Sequence, residues 1–171
     1  MFLRTDTHWT AEGAAVAAGA LAGAIRPVLD LRGSTRQRFA RTVGEPRERR
    51  GDLLAFLPLG PFSAIGPRPD TVRPVWTAAL DEGDGGAGLF GALKIPVSLV
   101  GTSYSAAGDW EFEGALKEAL RADVLTVAEQ GHGPFAPMQR YLSSPALDDP
   151  RPLVVVWEMP ERYLCVPTEL G

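Results

Sequence analysis

Two short segments of this chain carry residues that could form one nucleophilic site. Asp6-Thr7-His8-Trp9-Thr10 lies near the start, and Gly101-Thr102-Ser103-Tyr104-Ser105 closes an apolar run far downstream. A serine hydroxyl attacks poorly near neutral pH unless a neighbouring base takes its proton, and that base works best when a carboxylate orients it. The chain has two histidines, so the choice of base is narrow. His132 is the rival imidazole. It stands in Gln130-Gly131-His132-Gly133-Pro134 with Glu129 as the one adjacent acid, and it reads as an exposed loop residue.

Taken singly, each segment is weak. Asp6 and His8 are two residues apart, so in an extended strand they would face the same side about 7 Å apart at the backbone. A tight turn before the next helix would instead bring the carboxylate to the imidazole Nδ1. An isolated Asp-x-His is more often a capped turn with a packed ring than a catalytic pair. Gly-x-Ser is common in turns, and here Ser105 replaces the second glycine of the Gly-x-Ser-x-Gly elbow. The joint presence of both segments favours chemistry. Tyr104 either lines the pocket or packs beneath it. Arg162, in Trp157-Glu158-Met159-Pro160-Glu161-Arg162-Tyr163, could hold an acidic sugar or a nearby carboxylate, and pairing within the fold is an equal alternative. Two histidines, one cysteine and scattered acids show no zinc-type spacing. Gly83-Asp84-Gly85-Gly86 lacks the lysine and the strand-to-helix setting of a phosphate loop. No metal or cofactor is expected.

The elements that must position these groups can be read from pattern. Thr10 suits an N-cap and Glu12 the first turn of a helix that Pro27 ends near Ile25. Ala14, Ala18, Leu21 and Ile25 form its apolar stripe, and its small residues suit close packing on a sheet. A basic helix is expected over Thr35–Val43, a buried strand over Leu53–Leu57, an irregular loop over Pro58–Pro74 and an edge strand over Val72–Leu80. Asp81–Gly88 reads as a mobile glycine-acid loop. Ile95–Val100 reads as a central strand, a stretch from Trp110 or Phe112 to Ala122 as a helix with Leu116 and Leu120 inward, Val124–Val127 as a strand and Pro134–Leu142 as a short helix. Leu153–Trp157 is the clearest buried strand. Alternating strands and helices predict an α/β fold with a largely parallel sheet. Its sites gather beyond the strands' C-terminal ends, which is where Ser103 falls.

Length and composition set the outer bounds. A chain of 171 residues with 45% hydrophobic content predicts one domain with an ordinary core. A net charge of −4 is too mild to argue for a nucleic acid or an anionic membrane as partner, and no nucleic acid is expected. Six arginines between Arg36 and Arg50 read first as a solvated, arginine-rich surface helix and loop, with a basic strip facing an anionic polymer as the alternative. Cys165 is alone, so no intrachain disulfide can form. The N-terminus does not resemble a signal peptide. The apolar stretch Ala11–Ile25 is shorter than the ~20 residues a membrane span needs.

These segments resemble the SGNH-hydrolase-like domain of the alginate O-acetylation proteins, the AlgX/AlgJ family. The likeness runs through Arg4–Gly13, Val100–Ser105, Asp123–Leu125, Gly131–Leu142 and Val156–Leu164. It implies a three-layer SGNH-hydrolase-like fold over 1–171 as a single domain, with Asp6, His8 and Ser103 as the triad. The Asp-His pair precedes the serine, a permuted order relative to the wider superfamily. It implies an O-acetyltransferase acting on an acidic or neutral exopolysaccharide through an acetyl-serine, in the periplasm, with a membrane-bound acetyl donor protein as a partner. A carbohydrate acetylesterase and a non-catalytic polysaccharide-binding scaffold are the alternatives. The chain departs from the family by opening almost on the catalytic acid, as an N-terminally truncated copy would. It also ends without a carbohydrate-binding module, and Ala11 stands where a proline is expected.

Overall fold

The computed structural model describes residues 1–29, 37–80, 95–148 and 151–165. At its centre is a parallel three-stranded sheet in the order β6-β5-β7, formed by β5 (Val97–Gly101), β6 (Val124–Ala128) and β7 (Val154–Trp157). Every residue of β5 is buried, as expected of a central strand. Its register pairs Val97 with Val124 and Val154, and Val100 with Val127 and Trp157.

Helix α1 (Ala11–Ile25) begins where the sequence predicts, with the Thr10 hydroxyl accepting from the Gly13 N–H at 3.1 Å. Its buried stripe is Ala14, Ala18, Ala22 and Ile25, with Leu21 only partly covered. The small side chains pack it against helix α3 (Phe112–Leu120) rather than directly onto the sheet. Val97 and Leu99 join this α1–α3 core, with Trp110, Phe112, Leu116 and Leu120. Side chains alternate along a strand, so Ser98 and Val100 face the other way. That face is covered by α4 (Phe135–Leu142), whose Phe135 meets the Trp157 ring edge-on at 5.7 Å. The result is helix, sheet and helix in three layers. No helix among the described residues is long and apolar enough to cross a membrane.

Four expectations need correction. Residues 38–43 of the expected basic helix form strand β1 (Arg38–Val43), paired antiparallel with β4 (Val75–Leu80). Phe39, Thr42 and Val43 suit a strand, and the partner supplies the ladder that local propensity did not decide. Leu53–Leu57 is no buried strand. Asp52–Phe56 is a 3-10 turn with only Leu54 buried. The Leu53 N–H donates to the Thr5 carbonyl at 3.1 Å and the Asp52 carboxylate accepts from Thr7, which together fix it. The expected irregular loop contains a 3-10 turn at Gly60–Ile65 and strand β3 (Asp70–Val72), which pairs with β2 (Arg47–Arg49). Strand β7 is half-exposed, with Val155 at 40% and Trp157 at 41%, because among the described strands it pairs on one side only. Asp81–Gly88 lies outside the described residues.

Candidate active site

The acid–imidazole segment is the tip of a closed loop. Residues 1–3 run back along 8–10, with Leu3 N–H donating to the His8 carbonyl at 3.0 Å and Thr10 N–H to the Met1 carbonyl at 2.9 Å. The four residues between form a tight turn. Asp6 Oδ1 accepts from the His8 backbone N–H at 3.1 Å and also lies 2.5 Å from His8 Nδ1. An aspartate bonding the backbone two residues on is an Asx-type turn. Here the same oxygen takes the ring nitrogen. Asp6 and His8 are both buried, at 3% and 8% exposure.

The opposite ring nitrogen meets the serine. His8 Nε2 lies 2.7 Å from Ser103 Oγ, across 95 residues of sequence. An ionised Asp6 only accepts, so the network assigns the proton to Nδ1 and leaves the Nε2 lone pair facing the hydroxyl. Ser103 opens α2 (Ser103–Ala106), one helical turn directly after β5. It therefore sits at the C-terminal rim of the sheet. His132, the rival imidazole, is exposed on its loop.

Remote elements grip each residue of the turn in succession. Asp70 takes Thr5, accepting from its N–H at 2.8 Å and its hydroxyl at 2.6 Å, and it also accepts from Arg4 N–H at 3.1 Å and Nε at 3.2 Å. Burial raises the Asp70 pKa, but these donors outweigh it and pull it down to about 2. Arg49 takes Asp6, its Nε donating to Oδ2 at 3.0 Å. Burial pushes the Asp6 carboxyl up, yet bonds from His8 and Arg49 hold it below the ordinary value. Asp52 takes Thr7, accepting from its N–H at 2.8 Å and its hydroxyl at 2.5 Å. The Tyr104 hydroxyl donates to the Thr7 carbonyl. Trp110 stacks on His8 at 4.6 Å and 19°, and Arg49 lies over the same indole at 4.8 Å. Gly51 lets the chain cross close beneath: a Cβ there would stand 1.9 Å from the Thr5 carbonyl oxygen.

The arginine strip is thus partly internal. Arg47 and Arg49 alternate along β2 and both donate to Asp109, while Arg49 continues to Asp6. Their period-2 spacing, Arg-Glu-Arg, was the available sign of a strand face. Arg49, Asp52, Asp70, Asp109 and Trp110 were missed from sequence because their partners lie far along the chain. Asp6, His8 and Asp52 are also close enough together to suggest a cation. Thr7 and His8 already occupy these carboxylates, so hydrogen bonding accounts for the cluster.

Tyr104 packs under the dyad, its ring 4.7 Å from His8 and 5.2 Å from Trp9. Exposed Arg162, on the 3-10 turn Glu161–Cys165, donates to the Tyr104 hydroxyl at 3.4 Å and lies over the Tyr104 and Tyr163 rings. The structure gathers all five sequence-selected residues in one place.

Residues 1–161 match the model of the SGNH hydrolase-like domain, acetyltransferase AlgX. The whole chain aligns at 52% identity with 45% of the probable alginate O-acetylase AlgJ of Pseudomonas putida. It therefore spans less than half the length of that curated relative. Among solved structures, the O-acetyltransferase domain of Pseudomonas putida AlgJ superposes on 99% of this chain and 56% of its own, at 48% identity and a TM-score of 0.85. Pseudomonas aeruginosa AlgX, at 24% identity, shares the fold over 92% of this chain and 36% of its own, with a TM-score of 0.78.

Proposed function

From the premise that this chain belongs to the SGNH-hydrolase-like, AlgX-type acetyltransferase domain family, we propose that it moves acetyl groups onto hydroxyls of an alginate-like exopolysaccharide, with Ser103 as nucleophile, His8 as base and Asp6 as orienting acid. The AlgJ relatives' names supply the reaction and polymer. The observation that carries the residue assignment is the hydrogen-bonded chain from Asp6 through His8 to Ser103, at 2.5 Å and 2.7 Å.

The geometry supports a two-step transfer. Ser103 Oγ attacks the carbonyl carbon of an acetyl ester while His8 Nε2 takes the hydroxyl proton. The developing oxyanion requires hydrogen-bond donors, and losing one such donor typically costs roughly 100-fold or more in rate. The intermediate collapses, breaking the donor's C–O bond, and His8 returns the proton to the departing alcohol. A sugar hydroxyl then attacks acetyl-Ser103, His8 takes its proton, and the serine leaves with that proton. Asp6, held ionised by Arg49, stabilises the transient imidazolium. Arg162 supplies a cation at the rim for an anionic sugar, and Tyr104 supports both that guanidinium and the dyad turn. The chain acts as a single domain in the periplasm, receiving acetyl groups from a membrane-bound donor protein. Water in place of the sugar hydroxyl would make it an acetylesterase.

The test is turnover of p-nitrophenyl acetate by the wild type and Ser103→Ala. The expected result is a burst of nitrophenolate, a mass increase of one acetyl group on the Ser103 peptide, and loss of both in the variant. Equal rates with an unmodified serine would refute the assignment and favour a polysaccharide-binding scaffold.

A further inference from the structure

The turn that presents Ser103 is held by a carboxylate from another strand. Glu158 follows β7, and its backbone N–H donates to the Val100 carbonyl at 2.8 Å, extending the ladder by one residue. Its side chain then crosses to the residues on either side of the serine. Oε2 accepts from the Thr102 N–H at 2.7 Å and from the Ser105 hydroxyl at 3.1 Å. The Thr102 hydroxyl lies 3.1 Å from Oε1 and 3.0 Å from Oε2. A Cβ on Gly101 would stand 2.6 Å from Glu158 Oε2 and 2.8 Å from Ser105 Oγ. The missing side chain at 101 is what lets the carboxylate close on the turn. This explains why the motif is Gly-Thr-Ser-Tyr-Ser rather than a Gly-x-Ser-x-Gly elbow. The second serine is a ligand of the clamp, a position that glycine could not fill.

We propose that Glu158 is a positioning residue for the nucleophile: by binding Thr102 and Ser105 it sets where Ser103 Oγ stands relative to His8. The inference rests on Ser103 being the nucleophile. Glu158 touches neither the reacting hydroxyl nor the imidazole, so its effect must pass through the backbone of the turn. Catalytic serines are sensitive to such placement, since a 1 Å error can cost about 100-fold. Glutamine can replace the carboxylate in kind. Its carbonyl oxygen accepts from the Thr102 N–H and the Ser105 hydroxyl, and its amide donates to the Thr102 hydroxyl, which rotates to accept.

The experiment measures the rate of Ser103 labelling by a fluorophosphonate probe, and kcat and KM for p-nitrophenyl acetate, in wild type, Ser103→Ala, Glu158→Ala, Glu158→Gln and Ser105→Ala, with thermal melting alongside. The expected result is a fall of about 10- to 100-fold in labelling and kcat for Glu158→Ala. KM should stay within twofold, Glu158→Gln should recover most of the loss, and Ser105→Ala should show a smaller fall in the same direction. Wild-type rates in Glu158→Ala would overturn the proposal. So would equal losses in Glu158→Ala and Glu158→Gln that track a lowered melting temperature, because that is a folding defect. If Glu158→Ala does not fold, Ser105→Ala and Glu158→Gln decide: the clamp is refuted if Ser105→Ala keeps full kcat. Absence of Ser103 labelling in the wild type would instead refute the nucleophile assignment itself.

Discussion

Replacing Asp70 with asparagine removes the charge that ties down Arg4 and Thr5, the two residues before Asp6. The native carboxyl titrates at about 2 against an ordinary value of 3.8. That gap is worth about 2 kcal/mol at roughly 1.4 kcal/mol per pH unit. Arg4 is 71% exposed on its side of the pair, so solvent screens part of the attraction and the expected contribution falls to about 1–2 kcal/mol. The sign follows from the depressed value. Above the unfolded pKa both states are ionised and the stabilisation is complete. It is lost as pH falls from about 4 through about 2, where the folded state also takes up the proton. Urea unfolding of wild type and Asp70→Asn should therefore show a gap at pH 7 that narrows by most of this contribution, about 1 kcal/mol or more, as pH falls to about 2. Other carboxylates titrate in both proteins and cancel in the difference. A gap that stays constant over this range would refute the account, because asparagine would then be costing packing rather than charge. Near pH 7, Asp70→Asn should also slow Ser103 labelling, since Thr5 anchors the Asp6 turn.

Two further perturbations act on the same turn. Gly51 has φ −71°, which any residue adopts, so Gly51→Ala is purely steric: the new Cβ would lie 1.9 Å from Thr5 O and 2.6 Å from Asp6 N. Overpacking of this kind costs about 1–3 kcal/mol, read as a lowered melting temperature together with loss of Ser103 reactivity; retention of both would show that the two segments are free to separate. Arg49→Met keeps an aliphatic side chain but removes the guanidinium that lies over Trp110 and donates to Asp6. The Asp6 carboxyl should then rise toward its ordinary value, so that it takes up a proton at higher pH and the acid limb of kcat/KM moves upward. A profile that superposes on the wild type would show that Arg49 does not reach the acid in solution.

The fold's parallel core and the dyad–serine pair were legible because both are written locally. A short apolar run ending in glycine announces β5 and the turn after it, and Asp-x-His needs only a turn to bring its two groups together. What failed was whatever a distant partner decides. Arg38–Val43 carries charge enough for a helix and becomes a strand because Val75–Leu80 pairs with it. Leu53–Leu57 is apolar enough for a buried strand, yet Asp52 and Leu53 are drawn to Thr7 and Thr5 and the segment stays at the surface as a tight turn. Leu153–Trp157 is a strand as read, but hydrophobicity alone did not tell a central strand from an edge one.

The same division runs through the site. The grips on Thr5, Asp6 and Thr7 come from Asp70, Arg49, Asp52 and Tyr104, at separations of 65, 43, 45 and 97 residues. No window of sequence contains both ends of any of them. One structural fact unifies two: Arg49 and Asp70 are direct cross-strand partners in the β2–β3 pair. The register that aligns these strands therefore presents an arginine to Asp6 and a carboxylate to Thr5 at the same level. A slip of one residue along either strand would turn its side chain to the other face and release the acid and its neighbour together. The small antiparallel pair, absent from the sequence reading, is thus what makes an ordinary Asp-x-His turn rigid enough to hold an imidazole against a serine on the far sheet.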